Sequence, residues 1–432
     1  MEMKHESSWM AGCLVLACLS AAILPCQSVA GTTFARDALM PCVEKRGVAG
    51  VVSILYANGV KELNEVGYAD LEAKRPISAD QVFAQCSQTK GFCGVTVAKL
   101  VEEGRLKLDD PVSRYIPEFA KMYVREKGTN GTYVLRPATN AITVRMCMNH
   151  SAGFPFELPN FEAMGGWSRR MPLRSVALTV AAMPVDYEPG TAYRYSNLGI
   201  DVAAAVIERI TGKRWEDYLK ETVLDPLEMT SSSFTPTPEQ LKNRMQFYTI
   251  LDDKSFTLRR KDVGSFYPFT DERVYPSAGA GLWTTANDQY KFYKMLLNYG
   301  IGDNEARILK ESTVRELLLK SSRPPEITGT PASLARYSLG FKIWTDEKTG
   351  LTWFGHGGAY SSGCYMCHER KLLKLKAVQV LGYNGPAWGD QLEAASEAFF
   401  RSVGVDIRRK NEKPKPVQEK TSANAERGEV VL

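Results

Sequence analysis

Val48-Ala49-Gly50-Val51-Val52-Ser53-Ile54-Leu55-Tyr56, then Ala57-Asn58-Gly59, then Val60-Lys61-Glu62-Leu63-Asn64-Glu65-Val66-Gly67-Tyr68: two runs rich in β-branched and aromatic residues meet at an Asn-Gly pair. Asn and Gly tolerate the positive φ that a tight hairpin turn demands, so the spacing predicts antiparallel strands over 48–56 and 60–68. The far end of the chain mirrors this start, with strand-like runs over 337–345, 351–354, 363–369 and 373–382 and a helix over 390–402. A helix over 34–45 precedes the first strand. In the middle, Leu198, Val202 and Val206 recur at helical spacing and Gly212 stops that helix. Thr285-Ala286-Asn287-Asp288 reads as a capping box ahead of Phe292, Met295, Leu296 and Tyr299. Strands at both ends with helices between them predict an α+β fold. Its antiparallel β-sheet is formed from both chain ends (about 48–70 and 337–403), is flanked by helices, and carries an inserted, mostly helical domain (about 100–300). The regular βα alternation of a doubly wound parallel sheet is missing.

Composition agrees with a folded enzyme-sized chain. Of 432 residues, 44% are apolar and 24% charged, which excludes a wholly disordered chain. A net charge of +5 from 54 basic and 49 acidic residues comes without clustered Lys and Arg, so no nucleic-acid partner is expected. The one long apolar stretch lies at 10–26, which excludes a polytopic membrane protein. Lys4 precedes it, Pro25 interrupts it, and Ser28-Val29-Ala30 closes it with small residues. Residues 1–30 therefore read as a secretory signal peptide cleaved after Ala30, giving an exported, periplasmic or secreted protein without a stable membrane span. An uncleaved anchor or a lipid on Cys18 are the alternatives. One domain is expected over 31–405. The polar tail over 406–432, with Glu412-Lys413-Pro414-Lys415-Pro416 and no aromatics, reads as disordered. Past residue 30 the cysteines are Cys42, Cys86, Cys93, Cys147, Cys364 and Cys367. Export permits pairing, in about fifteen full connectivities, but a core this large needs no disulfide staples and buried thiols are the simpler expectation.

Three short motifs carry the chemistry. Ser87-Gln88-Thr89-Lys90 is the one Ser-x-x-Lys of the chain and is read as opening a helix with Cys93, Val97, Leu100 and Val101 on its apolar face. Positions i and i+3 share a helical face, so the hydroxyl and the amine can meet. A serine is a weak nucleophile until a neighbouring base takes its proton. A lysine serves as that base when burial and a helix N-terminus disfavour its charged form. Tyr195-Ser196-Asn197 follows the turn Tyr187-Glu188-Pro189-Gly190; its tyrosine could relay a proton, and Asn197 could hold Lys90 or a substrate amide. Trp353-Phe354-Gly355-His356-Gly357-Gly358-Ala359 enters a C-terminal strand, where small residues let a substrate lie along the backbone and main-chain N–H groups can form an oxyanion hole. Two look-alikes are set aside: Tyr56-Ala57-Asn58 belongs to the first hairpin turn, and Lys348-Thr349-Gly350 to a polar turn between strands.

In order and context these motifs resemble the serine β-lactamase and penicillin-binding-protein superfamily, specifically its class C-like esterase and DD-peptidase branch. Further segments are similar to it: Leu106-Lys107-Leu108-Asp109-Asp110-Pro111-Val112, Tyr115-Ile116-Pro117-Glu118-Phe119, Asn149-His150-Ser151-Ala152-Gly153, Leu224-Asp225-Pro226-Leu227-Glu228-Met229 and Ala280-Gly281-Leu282-Trp283-Thr284-Thr285. The resemblance runs from about 34 to 403. It implies a β-lactamase/transpeptidase-like fold in which Ser87 forms an acyl-enzyme and Lys90 is its general base. Tyr195 would share or relay the proton, and Asn197 would position Lys90 and substrate. His356, Gly357, Gly358 and Ala359 would bind substrate along the strand, and the N–H groups of Ser87 and Ala359 would cradle the oxyanion. No cofactor or metal is implied. Many β-lactamases carry Lys at the position of His356. A fixed cation ~4 Å from a carboxylate is worth about 4 kcal/mol at an effective dielectric near 20, and an unperturbed His (~6.5) is mostly neutral at pH 7. Weak β-lactam turnover is therefore expected, with uncharged esters or D-amino-acid-type amides and cell-wall peptides as the substrate class.

Other readings of the chain are a catalytically silent peptidoglycan- or ligand-binding protein on the same fold, and a true β-lactamase. Cys364-Tyr365-Met366-Cys367-His368 matches a haem-attachment pattern, yet in a strand its cysteines would point to opposite faces. His150 reads as a structural loop histidine and Cys86 as a buried spacer beside Ser87. No Gly-x-Ser-x-Gly elbow occurs. Specificity is assigned to loops of the insert, including 122–141 and 155–172, and the sequence leaves the oligomeric state open.

Overall fold

The computed structural model describes residues 34–44, 47–159, 171–250, 258–260, 275–322, 336–381 and 386–407. The expected leader over 1–30, the segment 160–170 and the tail past 407 lie outside the described residues. Asn58 and Gly59 adopt φ of 49° and 79°, and Ala57 pairs with Val60 across them. This two-residue turn joins the strands Gly50–Ala57 and Val60–Asp70, as the Asn-Gly signal requires. Eight antiparallel-paired strands make the main sheet, in the order Arg336–Tyr337, Lys342–Thr345, Thr352–Gly357, Gly363–Cys367, Leu372–Ala377, Gly50–Ala57, Val60–Asp70, Arg75–Pro76. The two chain ends meet where Ile54 pairs with Leu375.

Strand alternation gives each face its own core. On one face Val51, Leu55, Trp353 and Leu372 pack with Ala35 and Leu39 of the helix Phe34–Glu44 and with Phe399 and Phe400 of the helix Pro386–Ser402. On the other, Val52, Ile54, Phe354 and Leu375 join the larger core of the insert. That core surrounds the helix Thr89–Glu102, which is buried on nearly every side. Behind it lies the helix Asn197–Thr211, capped by the Ser196 hydroxyl accepting from Gly199 N–H and ended by Gly212 at φ 72°.

Several local expectations are corrected. The run 337–345 is two strands, because Gly340 turns left-handed at φ 80° and reverses the chain so that Tyr337 pairs with Lys342. The run 373–382 also divides: Val380–Leu381 leaves the sheet to pair in parallel with Tyr248–Ile250. The segment read as a loop over 122–141 forms a ribbon of Tyr123–Lys127 against Tyr133–Pro137. Thr285 does cap the helix Ala286–Leu297 by accepting from Asp288 N–H, but the Asp288 carboxylate turns to Ser231 and Ser232, so half of the expected box forms.

Candidate active site

The strand Phe83–Ala84, paired with Trp283–Thr284, feeds into a sharp turn. Cys86 stands at φ 51°, a left-handed conformation that is uncommon for a residue with a Cβ. A single 3-10 turn over Cys86–Gln88 follows, and the helix Thr89–Glu102 begins one residue later. Ser87 therefore sits just ahead of the α-helix, a small correction to a serine that opens it. The turn is pinned: Thr89 Oγ1 donates to Cys86 O at 2.7 Å and accepts from Leu282 N–H, while Gln88 donates to Ser362 Oγ at 2.9 Å. Cys86 is buried.

Lys90 is completely buried. Its Nζ lies 3.3 Å from Ser87 Oγ, 2.5 Å from Asn197 Oδ1 and 2.7 Å from Gly279 O, and 4.7 Å from the centre of the Tyr195 ring. Removing an ammonium from water disfavours it, and burial pulls this lysine from 10.5 down to about 7. The negative charges of Asp201 and Glu157, and Cys86 beside them, oppose that fall. A Lys that is half neutral near pH 7 within reach of a serine hydroxyl is a ready proton acceptor.

Tyr195 and His356 close the other side. The Tyr195 phenol stands 3.5 Å from His356 Nε2 and is a hydrogen-bonding neighbour of Ser87; burial nevertheless pushes its proton affinity up, so it stays a phenol. His356, on the strand Thr352–Gly357, places Nδ1 2.6 Å from Gly357 O and Nε2 3.1 Å from Tyr337 Oη. Burial, then Lys342 and Lys90, hold it well below the usual histidine range, so the ring is neutral. Gly358 packs against the segment leading to Ser87 so closely that a Cβ would fall 2.4 Å from Gln85 O. Only glycine fits there, and this approach brings the backbone at Gly358 against the segment that leads to Ser87. Ser87, Lys90, Tyr195, Asn197 and His356, named from sequence, are thus brought together from three separated stretches of chain.

The set-aside motifs lie elsewhere. Asn58 is in the hairpin turn and donates to Val403 O. Lys348-Thr349-Gly350 wraps around Asp346, which accepts from Lys348 N–H and Thr349 Oγ1. Cys364 and Cys367 belong to the cores on opposite faces of the sheet, which no single haem can bridge. Cys42, Cys86, Cys93, Cys147, Cys364 and Cys367 are buried, and no disulfide joins them. Among the described residues no group of His, Cys, Asp or Glu side chains is arranged to hold a metal ion. His150, at φ 66°, accepts from Ser196 N–H through Nδ1 and packs its ring 4.5 Å from that of Tyr195, a supporting position. Four contributors were missed in sequence: Glu157, Asp201, Gly279 and Lys342. Asp201 was the most findable, because an acid four residues after Asn197, in the otherwise apolar run 198–207, shares its face.

Comparison with known proteins bears on the family and the fold. A family model described as Beta-lactamase matches residues 35–387. Protein Rv1367c of Mycobacterium tuberculosis is 28% identical over 324 residues, covering 72% of this chain and 79% of that one. Among solved structures, simvastatin synthase (LovD) from Aspergillus terreus superposes with a TM-score of 0.72 at 21% identity, over 87% of this chain and 100% of that one. EstCE1, described as a hydrolase with promiscuous acyltransferase activity, gives 0.68 at 21% identity, over 84% of this chain and 97% of that one.

Proposed function

Because the chain belongs to the Beta-lactamase family, we propose that it is an exported serine hydrolase that works through an acyl-enzyme on Ser87, with uncharged esters or D-amino-acid-type amides as substrates. The observation that carries this reading is the Lys90 amine, held near neutrality 3.3 Å from Ser87 Oγ. In the first step Ser87 Oγ bonds to the substrate carbonyl carbon and its proton passes to Lys90, directly or through the Tyr195 hydroxyl. The N–H groups of Ser87 and Ala359 would hold the oxyanion; losing one such donor typically lowers the rate ~10²–10³-fold. The leaving alcohol or amine departs with the proton, and water, deprotonated by the same base, then releases the acid and restores Ser87.

Support for an uncharged substrate comes from the neutral His356 and from Phe156. That ring is half exposed and stacks 6.1 Å from Tyr195 at 19°, while its carbonyl accepts from Asn197 N–H at 3.1 Å. An apolar ledge at the mouth of the site suits an apolar acyl group. One structural neighbour, EstCE1, is described as a hydrolase with promiscuous acyltransferase activity, which is chemistry of this kind.

The test is labelling with a fluorophosphonate followed by intact mass. One adduct on the wild type, absent from Ser87→Ala, is expected; no adduct on either protein would favour a binding role on the same fold. Purified protein is further expected to turn over short-chain esters and to hydrolyse penicillins slowly or not at all, and rapid penicillin hydrolysis would overturn the substrate assignment.

A further inference from the structure

Lys90 has two carbonyl partners besides Ser87, and each is held from behind by a carboxylate. Asn197 Oδ1 accepts from Lys90, and the Nδ2 of the same amide donates to Glu157 Oε1 at 2.5 Å. That second bond fixes which way the amide faces, so its oxygen rather than its nitrogen meets the lysine. On the other side Gly279 O accepts from Lys90, and Gly279 N–H donates to Asp201 Oδ1 at 3.1 Å. Asp201 also takes the Ser277 hydroxyl at 3.1 Å and the Tyr275 hydroxyl, which clamps the whole 275–279 segment. Asp201 is one helical turn from Asn197, on the same buried face.

We propose that Glu157 and Asp201 act as a matched pair of positioning residues, each fixing one of the two carbonyl oxygens that hold the Lys90 amine against Ser87. The pair rests on the acyl-transfer reading above and deepens it. Each carboxylate acts on Lys90 through the group it holds, the Asn197 amide or the Gly279 peptide. Each has a second effect through space, since a nearby negative charge favours an ammonium. Buried as it is, Lys90 would otherwise lose its proton too readily to help the leaving group depart. The other titratable or charged groups facing the amine are Cys86 from the preceding turn, Tyr195, His356 from the strand Thr352–Gly357, and Lys342 from the neighbouring strand. Tyr195 and His356 are neutral, and Lys342 pushes in the opposite sense, so the two carboxylates are the principal source of stabilising charge.

The experiment uses the full chain and the rate of fluorophosphonate labelling as a function of pH. In that reaction Ser87 Oγ bonds to phosphorus, fluoride leaves, and the serine proton is taken by Lys90. The neutral amine is the active form, so the rate rises through the lysine midpoint. Glu157→Gln and Asp201→Asn remove charge while keeping hydrogen-bonding groups. Each is expected to label more slowly at its plateau, because its carbonyl is less firmly placed, and to show a rising limb displaced to lower pH by about half a unit or more. A limb that stays at the wild-type pH in both variants would reduce these residues to structural supports and overturn the pair. Should Asp201→Asn fail to fold, Glu157→Gln decides alone, since Glu157 is only partly buried. A wild type that never labels overturns the acyl-transfer reading and the pair with it, whereas a wild type that labels beside variants with an unmoved limb overturns the pair only.

Discussion

At the scale of single residues, the chemistry is set by a few groups whose proton affinities burial drives apart. Lys90 falls to about 7, Tyr195 rises and His356 falls. At neutral pH the amine alone can take a proton. Lys90→Met is therefore expected to slow acylation by about 10²–10⁴-fold, the usual worth of a general base, read as the labelling rate. Tyr195→Phe keeps the ring beside the amine and removes only the relay; it should lower the plateau while leaving the pH of the rising limb in place. Ser87 and Lys90 were legible because a spacing of three positions, here from a 3-10 turn into the helix it leads, settles their proximity. Gly279 was not, since it contributes a backbone carbonyl and leaves no side-chain signature. Glu157 was hidden for a different reason: its partner Asn197 is 40 positions away, and only the fold brings them together.

At the scale of elements, placement depends on backbones that come unusually close. Gly94 of the helix Thr89–Glu102 faces Leu339, whose carbonyl oxygen would lie 1.9 Å from a Cβ at that position. In an exposed helix, Gly→Ala gains about 1 kcal/mol. Overpacking costs about 1–3 kcal/mol, and here the obstacle is backbone that cannot rotate away, so Gly94→Ala should destabilise the protein. A lower urea midpoint and a lower labelling rate would show it; a raised midpoint would mean the segment 338–341 can move aside. The same place explains why the run 337–345 misled as one strand. Its apolar residues fit a strand pattern, but Gly340 and the helix packed against it force a reversal that periodicity does not register. The hairpin at 57–60 was readable because its turn chemistry is entirely local.

At the scale of the molecule, a sheet assembled from both ends of the chain makes the site a property of the whole fold. The strand Thr352–Gly357, which carries His356, lies in the same sheet as the C-terminal strands and Gly50–Ala57, with the terminal helices covering the far face. Phe400 is fully buried there among Ala35, Leu39 and Trp353. Phe400→Ala should cost about 3–5 kcal/mol, measured by denaturant unfolding, even though it lies across the sheet from Ser87. The broad architecture was visible in sequence because strands cluster at the two ends and helices in the middle. Burial of Lys90 was not, because helices, loop and strand from distant parts of the chain all contribute to it. The most direct measurement is the titration of the Lys90 amine itself, followed by NMR of lysine-labelled protein and assigned with Lys90→Arg. A midpoint close to 7 is expected; a midpoint near the ordinary 10.5 would contradict the claim that this fold turns a buried lysine into the base that activates Ser87.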